Sequence, residues 1–406
     1  MSDALPHQGT GRAGTDPSAG ARASAGTGAS AGPFAGTSAG TDPSRAEGLR
    51  VGLVGAGGIS RVHADAWRAL GATGFVTSVQ GAEAIASEYG FAAVPDVDAL
   101  LDLVDVVDIV TPSSTHADFA LRAIAKGRHV VCEKPLAATA AEAARVARAA
   151  AAAGVRLFPA HVVRYFGEYK AIKDAIDAGR IGTVAVQRFS RAGSAPRTPW
   201  FFSESAGGGV VRDLMIHDID QAVWFAGPVA SVYAVQNPPT VDDRVPAPVT
   251  AHVVLTHRSG VISHLHASWV AEGMPFRTSV EVSGSEGRVR HDSAEENVLR
   301  TDAVLSEGST DYLPPMSPQE SPYYAEIADF VAALRTGGDV RVSPADGIEA
   351  VAIAEAAYAS IAAGAPVALP APGEPLIAPA TAVSPAAVTP ATVSAVSAAE
   401  AEEAAR

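Results

Sequence analysis

From Leu49 to Phe158 the chain alternates between two hydrophobic periods. Short apolar runs, LRVGLV (Leu49 to Val54), GFVTSV (Gly74 to Val79), VVDIV (Val106 to Val110) and HVVC (His129 to Cys132), read as strands. Each is followed by a stretch whose apolar residues recur three and four apart: SRVHADAWRAL, AEAIASEY, HADFALRAIAK and the Ala-rich segment after Thr139. Gly71, Gly90, Gly127 and Gly154 close those helical stretches, and Thr139 with Glu142 makes a capping-box pair before the fourth. VRLF supplies a further strand. Strand and helix alternating at these lengths predict a doubly wound parallel sheet with helices on both faces.

Beyond this point the pattern changes. TVAVQRFSR, ASVYAVQ, VTAHVVLTH, GVISHLHASW, RTSVEVSG and GRVRHD follow one another with little helix between them. They predict a large, mostly antiparallel open sheet in an α+β domain. Two helices, SPYYAEIADFVAALRTG and PADGIEAVAIAEAAYASIAAG, close the folded region and are placed to pack back on the first domain. The expected organisation is therefore α/β, with one domain over 49–159 and a second, α+β domain over 160–369. Low-complexity tails flank them at 1–48, where GTDPS occurs twice, and at 370–406. Their composition cannot bury enough apolar surface to offset chain entropy, so disorder is expected there.

Charge and cysteine content narrow the function classes. The 406 residues carry a net charge of −14, which repels phosphate backbones and speaks against a nucleic-acid partner. No apolar window approaches the roughly 18 residues of a membrane span. The start of the chain lacks a secretory pattern. One cysteine, Cys132, excludes an internal disulfide and fits a reducing cytoplasm.

Three stretches could carry chemistry. Gly55-Ala56-Gly57-Gly58-Ile59-Ser60 leaves the first strand and opens the first helix, the context a dinucleotide fingerprint requires. Gly55 permits the tight turn, Gly57 lets backbone approach a pyrophosphate, and the helix start offers free N–H groups. Ser60 stands where a third glycine or alanine is usual. The second strand offers Ser78 and Gln80 at its tip and lacks the carboxylate expected to hold a ribose 2′-hydroxyl. The choice between NAD and NADP stays open on these residues.

The second stretch is VVCEKPLA. Glu133 and Lys134 leave their strand at the sheet edge where ligands of open α/β sheets bind, so Lys134 is placed to stabilise a developing oxyanion. A surface ion pair made by Glu133 is the plainer alternative. The third stretch is GGGVVRDLMIHDIDQAVWFAG, where Asp213 and His217 are four residues apart and would share a helix face. A carboxylate beside an imidazole can orient it as a general base, with Asp220 bracing the same face. A purely structural Asp–His pair is the alternative. Trp200, Phe201 and Phe202 could stack on a sugar ring or belong to a core. His252, His257, His264 and His266 lie on successive strands, but a third zinc ligand is not evident and no metal is expected.

GAGGISRVHADAW, TPSSTHADFALRAIAKGRHVVCEKPLA, HVVRYFGEY, GGGVVRDLMIHDID and YYAEIADF…SPADGIEAV together resemble the Gfo/Idh/MocA family of NAD(P)-dependent oxidoreductases, which includes inositol and sugar dehydrogenases. The resemblance spans nearly all of Leu49 to Leu369. It implies an N-terminal Rossmann domain, a C-terminal domain whose open sheet forms dimer or tetramer contacts, and a polyol or sugar substrate. It places the catalytic lysine on Lys134 and the Asp–His pair on Asp213 and His217. It also implies substrate contacts by His161 and Arg164, and a nicotinamide-side loop containing Thr111, Pro112 and His116. Gly167 departs from the proline common after the Arg–aromatic pair. The implied reaction is hydride transfer between a nicotinamide and a secondary alcohol. Two further readings are redox-neutral glycoside cleavage or epimerisation with bound NAD, and a non-catalytic dinucleotide and sugar sensor.

Overall fold

The computed structural model describes residues 42–294 and 321–371. Most of both expected tails lies outside these residues. Part of the first does not: Ala46 is buried and its N–H donates to Leu70 O at 2.8 Å, so the packed chain begins before Leu49.

Six strands form the first sheet: β1 (Arg50–Val54), β2 (Thr73–Thr77), β3 (Ala92–Ala93), β4 (Val106–Ile109), β5 (His129–Glu133) and β6 (Leu157–Ala160). All pair in parallel in the order β3-β2-β1-β4-β5-β6, the order of a dinucleotide-binding fold. The helices between them are α1 (Gly58–Leu70), α2 (Ala82–Tyr89), α3 (Val97–Leu103), α4 (His116–Ala125) and α5 (Ala140–Ala153). The order reverses between β1 and β4, which opens a crevice at their carboxyl ends. There Gly55 has φ 114°, and a Cβ on it would lie 2.7 Å from Val110 O, so only glycine fits the turn. The second strand ends at Thr77, leaving Ser78 in the following loop.

The second sheet comprises β7 (Val184–Ser194), β8 (Val229–Asn237), β9 (Val249–His257), β10 (Ile262–Val270), β11 (Arg277–Gly284), β12 (Arg288–Asp292) and β13 (Val367–Ala368). Its order is β12-β11-β7-β10-β9-β8-β13. β10 and β7 pair in parallel and the other neighbours are antiparallel. Alternation along β9 sends Val249, Ala251, Val253 and Leu255 inward against α7 (Ile216–Ala226) and α9 (Pro344–Ala363). His257 follows the inward phase and hydrogen-bonds Gly227 O and Ser263 Oγ, whereas His252 and His266 stack on the outer face at 4.7 Å. Among the described residues no group of three His, Cys, Asp or Glu is arranged to hold a metal ion.

α6 (Gly167–Asp177) leads into the second sheet, and α8 (Pro322–Thr336) returns to the first. Ile327, Phe330 and Val331 of α8 join Trp67, Leu70, Val131 and Phe158 in one core. Phe330 stacks on Phe158 with centroids 4.9 Å apart, and buried rings of this size contribute on the order of 3–5 kcal/mol each. Among the described residues no helix is long and apolar enough to cross a membrane.

The same helix carries an unusual group. Glu326 is fully buried and neither carboxylate oxygen has a hydrogen-bond partner among the described residues. Burial, then the Glu133 charge, push its carboxyl well above the usual range. Such a group is neutral in the folded chain and ionises freely in the unfolded one. Stability is therefore complete below the unfolded value and is lost as pH rises toward the folded one. Glu326→Gln should raise the melting temperature by a margin that grows as pH rises above the ordinary glutamate range. A margin independent of pH would contradict this protonation state.

Candidate active site

The glycine loop lies at the crevice. Side chains built at Gly57 and Gly58 would meet nothing within 4 Å, so the backbone is open to a close ligand. Gly57 caps α1 with extended geometry and no side chain caps the helix start, the kind of terminus that can receive a phosphate. Ser60 is buried and its hydroxyl donates to Gly57 O at 2.5 Å, so it closes the loop from within, and Ile59 packs partly against the substrate-domain core. A Cβ on Gly81 would stand 3.5 Å from that of Ala56, so the loop carrying Ser78 and Gln80 borders the glycine loop. A dinucleotide's pyrophosphate and adenosine ribose fit these neighbours. Thr111 packs beside Gly55, and Thr115 Oγ1 donates to Pro112 O at 2.7 Å and lies 2.7 Å from Thr111 Oγ1.

Lys134 follows β5 directly and reaches across to the other domain. Its Nζ donates to Asp213 Oδ1 at 3.0 Å and to Asp213 O at 2.8 Å. The local geometry of Asp213 explains the second bond. Residues Val210–Met215 form a π-helix before α7, and the shift from i+5 to i+4 bonding is where a helix carbonyl is released to an outside donor. Gly208 and Gly209, at φ 86° and 60°, start this turn: a Cβ on Gly208 would lie 2.6 Å from Arg212 Nε and one on Gly209 2.9 Å from the Tyr358 hydroxyl.

Lys134 takes the place of His217 in the expected Asp213–His217 pair. Asp213 is taken by Lys134, and the buried His217 Nδ1 has no partner among the described residues. His217 is 6% exposed. Burial, then the charge of Lys134, then those of Arg191 and His161, hold its imidazole well below the ordinary value. It is therefore neutral at physiological pH, as a proton acceptor must be. Beneath it Arg191 and Asp218 form a buried ion pair at 2.7 Å.

Other expected contacts are placed differently. Arg164 is buried and committed: Nε and Nη2 donate to Asp220 at 2.9 and 2.7 Å, Nη2 to Asp346 at 3.0 Å and Nη1 to Arg341 O at 3.0 Å. It ties the loop after β6 to α7 and the start of α9, and a substrate would have to displace those partners. Asp220 belongs to this network rather than bracing His217. His161 is buried, its ring nitrogens unpartnered among the described residues, with Nδ1 3.8 Å from Asp220 Oδ1. His116 touches backbone on both sides, Nδ1 to Pro135 O at 2.7 Å and Nε2 to Thr111 O at 2.8 Å, and is 1% exposed. It clamps two loops instead of facing the crevice. Glu133 also turns inward: Oε1 is 3.2 Å from His63 Nε2, and Oε2 accepts the Lys134 N–H at 2.9 Å. Half-buried Trp200 stacks on Phe201 at 3.8 Å, over Gly207, where a Cβ would lie 2.5 Å from Trp200 O.

Sequence reasoning missed His63. It sits on the apolar stripe of α1 with Ala66, Trp67 and Leu70, and that misplaced polarity was the available signal.

Comparison with known proteins agrees with this architecture. Residues 49–161 match the family model described as "Oxidoreductase family, NAD-binding Rossmann fold", and 169–290 match the GFO/IDH/MocA C-terminal domain. The inositol 2-dehydrogenase of Rhizobium meliloti is 31% identical over 333 residues, covering 77% of this chain and 97% of that protein. The chain belongs to the Gfo/Idh/MocA family of oxidoreductases. Among solved structures, GenD2 from gentamicin A biosynthesis in complex with NAD superposes with TM-score 0.72 at 28% identity, covering 82% of this chain and 99% of that one. A levoglucosan dehydrogenase in complex with NADH and L-sorbose superposes with TM-score 0.67 at 25% identity, covering 79% and 99%.

Proposed function

We propose that this protein catalyses reversible oxidation of a secondary alcohol on a cyclic polyol or sugar, with NAD as the hydride acceptor. The observation that carries the reading is the meeting of Lys134, from the edge of the nucleotide sheet, with Asp213, one helical turn from a neutral His217. His217 takes the hydroxyl proton. Lys134, held by the Asp213 carboxylate and carbonyl, donates to the same oxygen as it becomes a carbonyl. The nicotinamide, when bound, supplies the hydride acceptor. Asp213 thus acts on Lys134, not on the base. The names of the relatives, inositol and levoglucosan dehydrogenases, support the substrate class.

NAD is favoured over NADP by what borders the glycine loop. Ser78 and Gln80 offer a hydroxyl and an amide suited to ribose hydroxyls. The cation of the first turn of α1, Arg61, is paired with Glu88 instead of being held for a 2′-phosphate dianion. The reading also places the enzyme in the reducing cytoplasm, with Cys132 a buried thiol. It takes the outer face of the second sheet, where Tyr233, Val235 and Ile262 remain exposed, as a homodimer or homotetramer contact. A monomeric mass by light scattering would refute that contact.

Thermal-shift titration with both dinucleotides, then a polyol and sugar panel with the better one, tests the function. Stabilisation by NAD at lower concentration than NADP and substrate-dependent release of NADH are expected. Products formed without free NADH would favour the redox-neutral reading. Cofactor binding without turnover on any panel member would favour a sensor.

A further inference from the structure

Three polar residues interrupt apolar positions in the nucleotide-binding half, and they meet. His63 lies on the buried stripe of α1, Asp108 is the one charged residue of β4, and Glu133 ends β5. His63 and Asp108 are fully buried and Glu133 is 6% exposed. His63 Nδ1 donates to Asp108 Oδ2 at 2.9 Å, Nε2 reaches Glu133 Oε1 at 3.2 Å, and Trp67 Nε1 adds a bond to Asp108 Oδ2 at 2.7 Å. With a carboxylate on each side, the ring donates from both nitrogens and is an imidazolium. Burial opposes that charge, but Asp108 and Glu133 outweigh it and hold the imidazole well above its ordinary value. Buried ion pairs of this kind are weak sources of stability, since desolvation cancels most of the attraction. What they fix is geometry.

The fixed object is the Lys134 backbone. Glu133 Oε1 is anchored by His63, so Oε2 is aimed at the Lys134 N–H, which donates to it at 2.9 Å. On the far side His116 holds Pro135 O at 2.7 Å. The three-residue loop is thus pinned by helices α1 and α4, and the Lys134 side chain is the part that projects toward Asp213. We infer that His63 is a positioning residue: through Glu133 it fixes the direction from which the Lys134 ammonium meets the substrate oxygen. This rests on the role given to Lys134 above. His63 touches neither substrate nor cofactor. A misplacement of about 1 Å at a reacting group can cost about 10²-fold in rate.

A double-mutant cycle tests it, with His63→Gln, Glu133→Ala and the combination, each checked for folding by its NAD-induced thermal shift. Each single change should lower kcat by about 10²-fold while KM for NAD stays near that of the parent. The double variant should fall no further than the worse single one, within about twofold. Losses that multiply would overturn the inference, because His63 would then act independently of Glu133. Should His63→Gln fold poorly, Asp108→Asn disturbs the same strut from its other end and carries the same expectation. A crystal structure of the His63→Gln protein gives an arm independent of turnover. The Lys134–Asp213 pair should be broken or displaced, and an unchanged pair would overturn the positioning role. Inactivity of the parent on every polyol would remove the proposed function while leaving this structural arm in force.

Discussion

Replacing Lys134 by methionine is expected to lower kcat by about 10²- to 10³-fold, the loss typical of removing one donor to a developing oxyanion. NAD should still stabilise the variant in a thermal-shift titration, because the glycine loop and the first turn of α1 are untouched. A second consequence separates this from general damage. The Lys134 charge is among the causes that depress His217. Without it the base should titrate at higher pH, so the acid limb of the residual activity should move upward. The sign follows from removing a cation beside a group whose charged form is also a cation. Near-normal turnover would discard the assignment of Lys134, and an acid limb moving downward would separate the lysine from the histidine.

His217 carries the other large effect. His217→Asn should reduce kcat by about 10²- to 10⁴-fold, the range for a general base. In the parent enzyme the pH dependence matters more than the loss itself. An unperturbed imidazole would cut kcat/KM below about pH 6.5. Burial, reinforced by Lys134, Arg191 and His161, holds His217 well below that. The acid limb should therefore lie clearly on the acid side of an ordinary histidine, with a flat profile across neutrality. A limb near the ordinary imidazole value, abolished by His217→Asn, would leave His217 as the base but contradict the burial account. A limb unaffected by His217→Asn would mean that another group accepts the proton.

Much of this arrangement is legible in the residues alone. The parallel sheet follows from the alternation of apolar runs and helical spacing, and the glycine loop from its place between β1 and α1. Position at the carboxyl edge also isolates Lys134, because strand ends in an open sheet converge on one crevice. The pairing of Asp213 was misread for a specific reason. Four-residue spacing reports only a shared face and is blind to a distant competitor: the carbonyl and carboxylate of Asp213 both go to Lys134, 79 residues away. Arg164 and His116, which the resemblance gives to substrate and nicotinamide, are held by partners that are distant or backbone: Asp220 is 56 residues from Arg164, and both ring nitrogens of His116 lie against carbonyl oxygens. Ring nitrogens bonded to main chain leave no trace in side-chain spacing. The strut from Asp108 through His63 to Glu133 left a fainter mark, three polar residues in apolar phase, whose meaning appears only when the strands are side by side.

The central claim is that one substrate oxygen is shared by two side chains from different domains. A crystal structure with NADH and a bound polyol measures this directly. The account predicts a single hydroxyl oxygen within hydrogen-bond distance of both Lys134 Nζ and His217 Nε2, its carbon facing the nicotinamide. A polyol seated with no hydroxyl on either group, or with the two groups on separate walls, would contradict it.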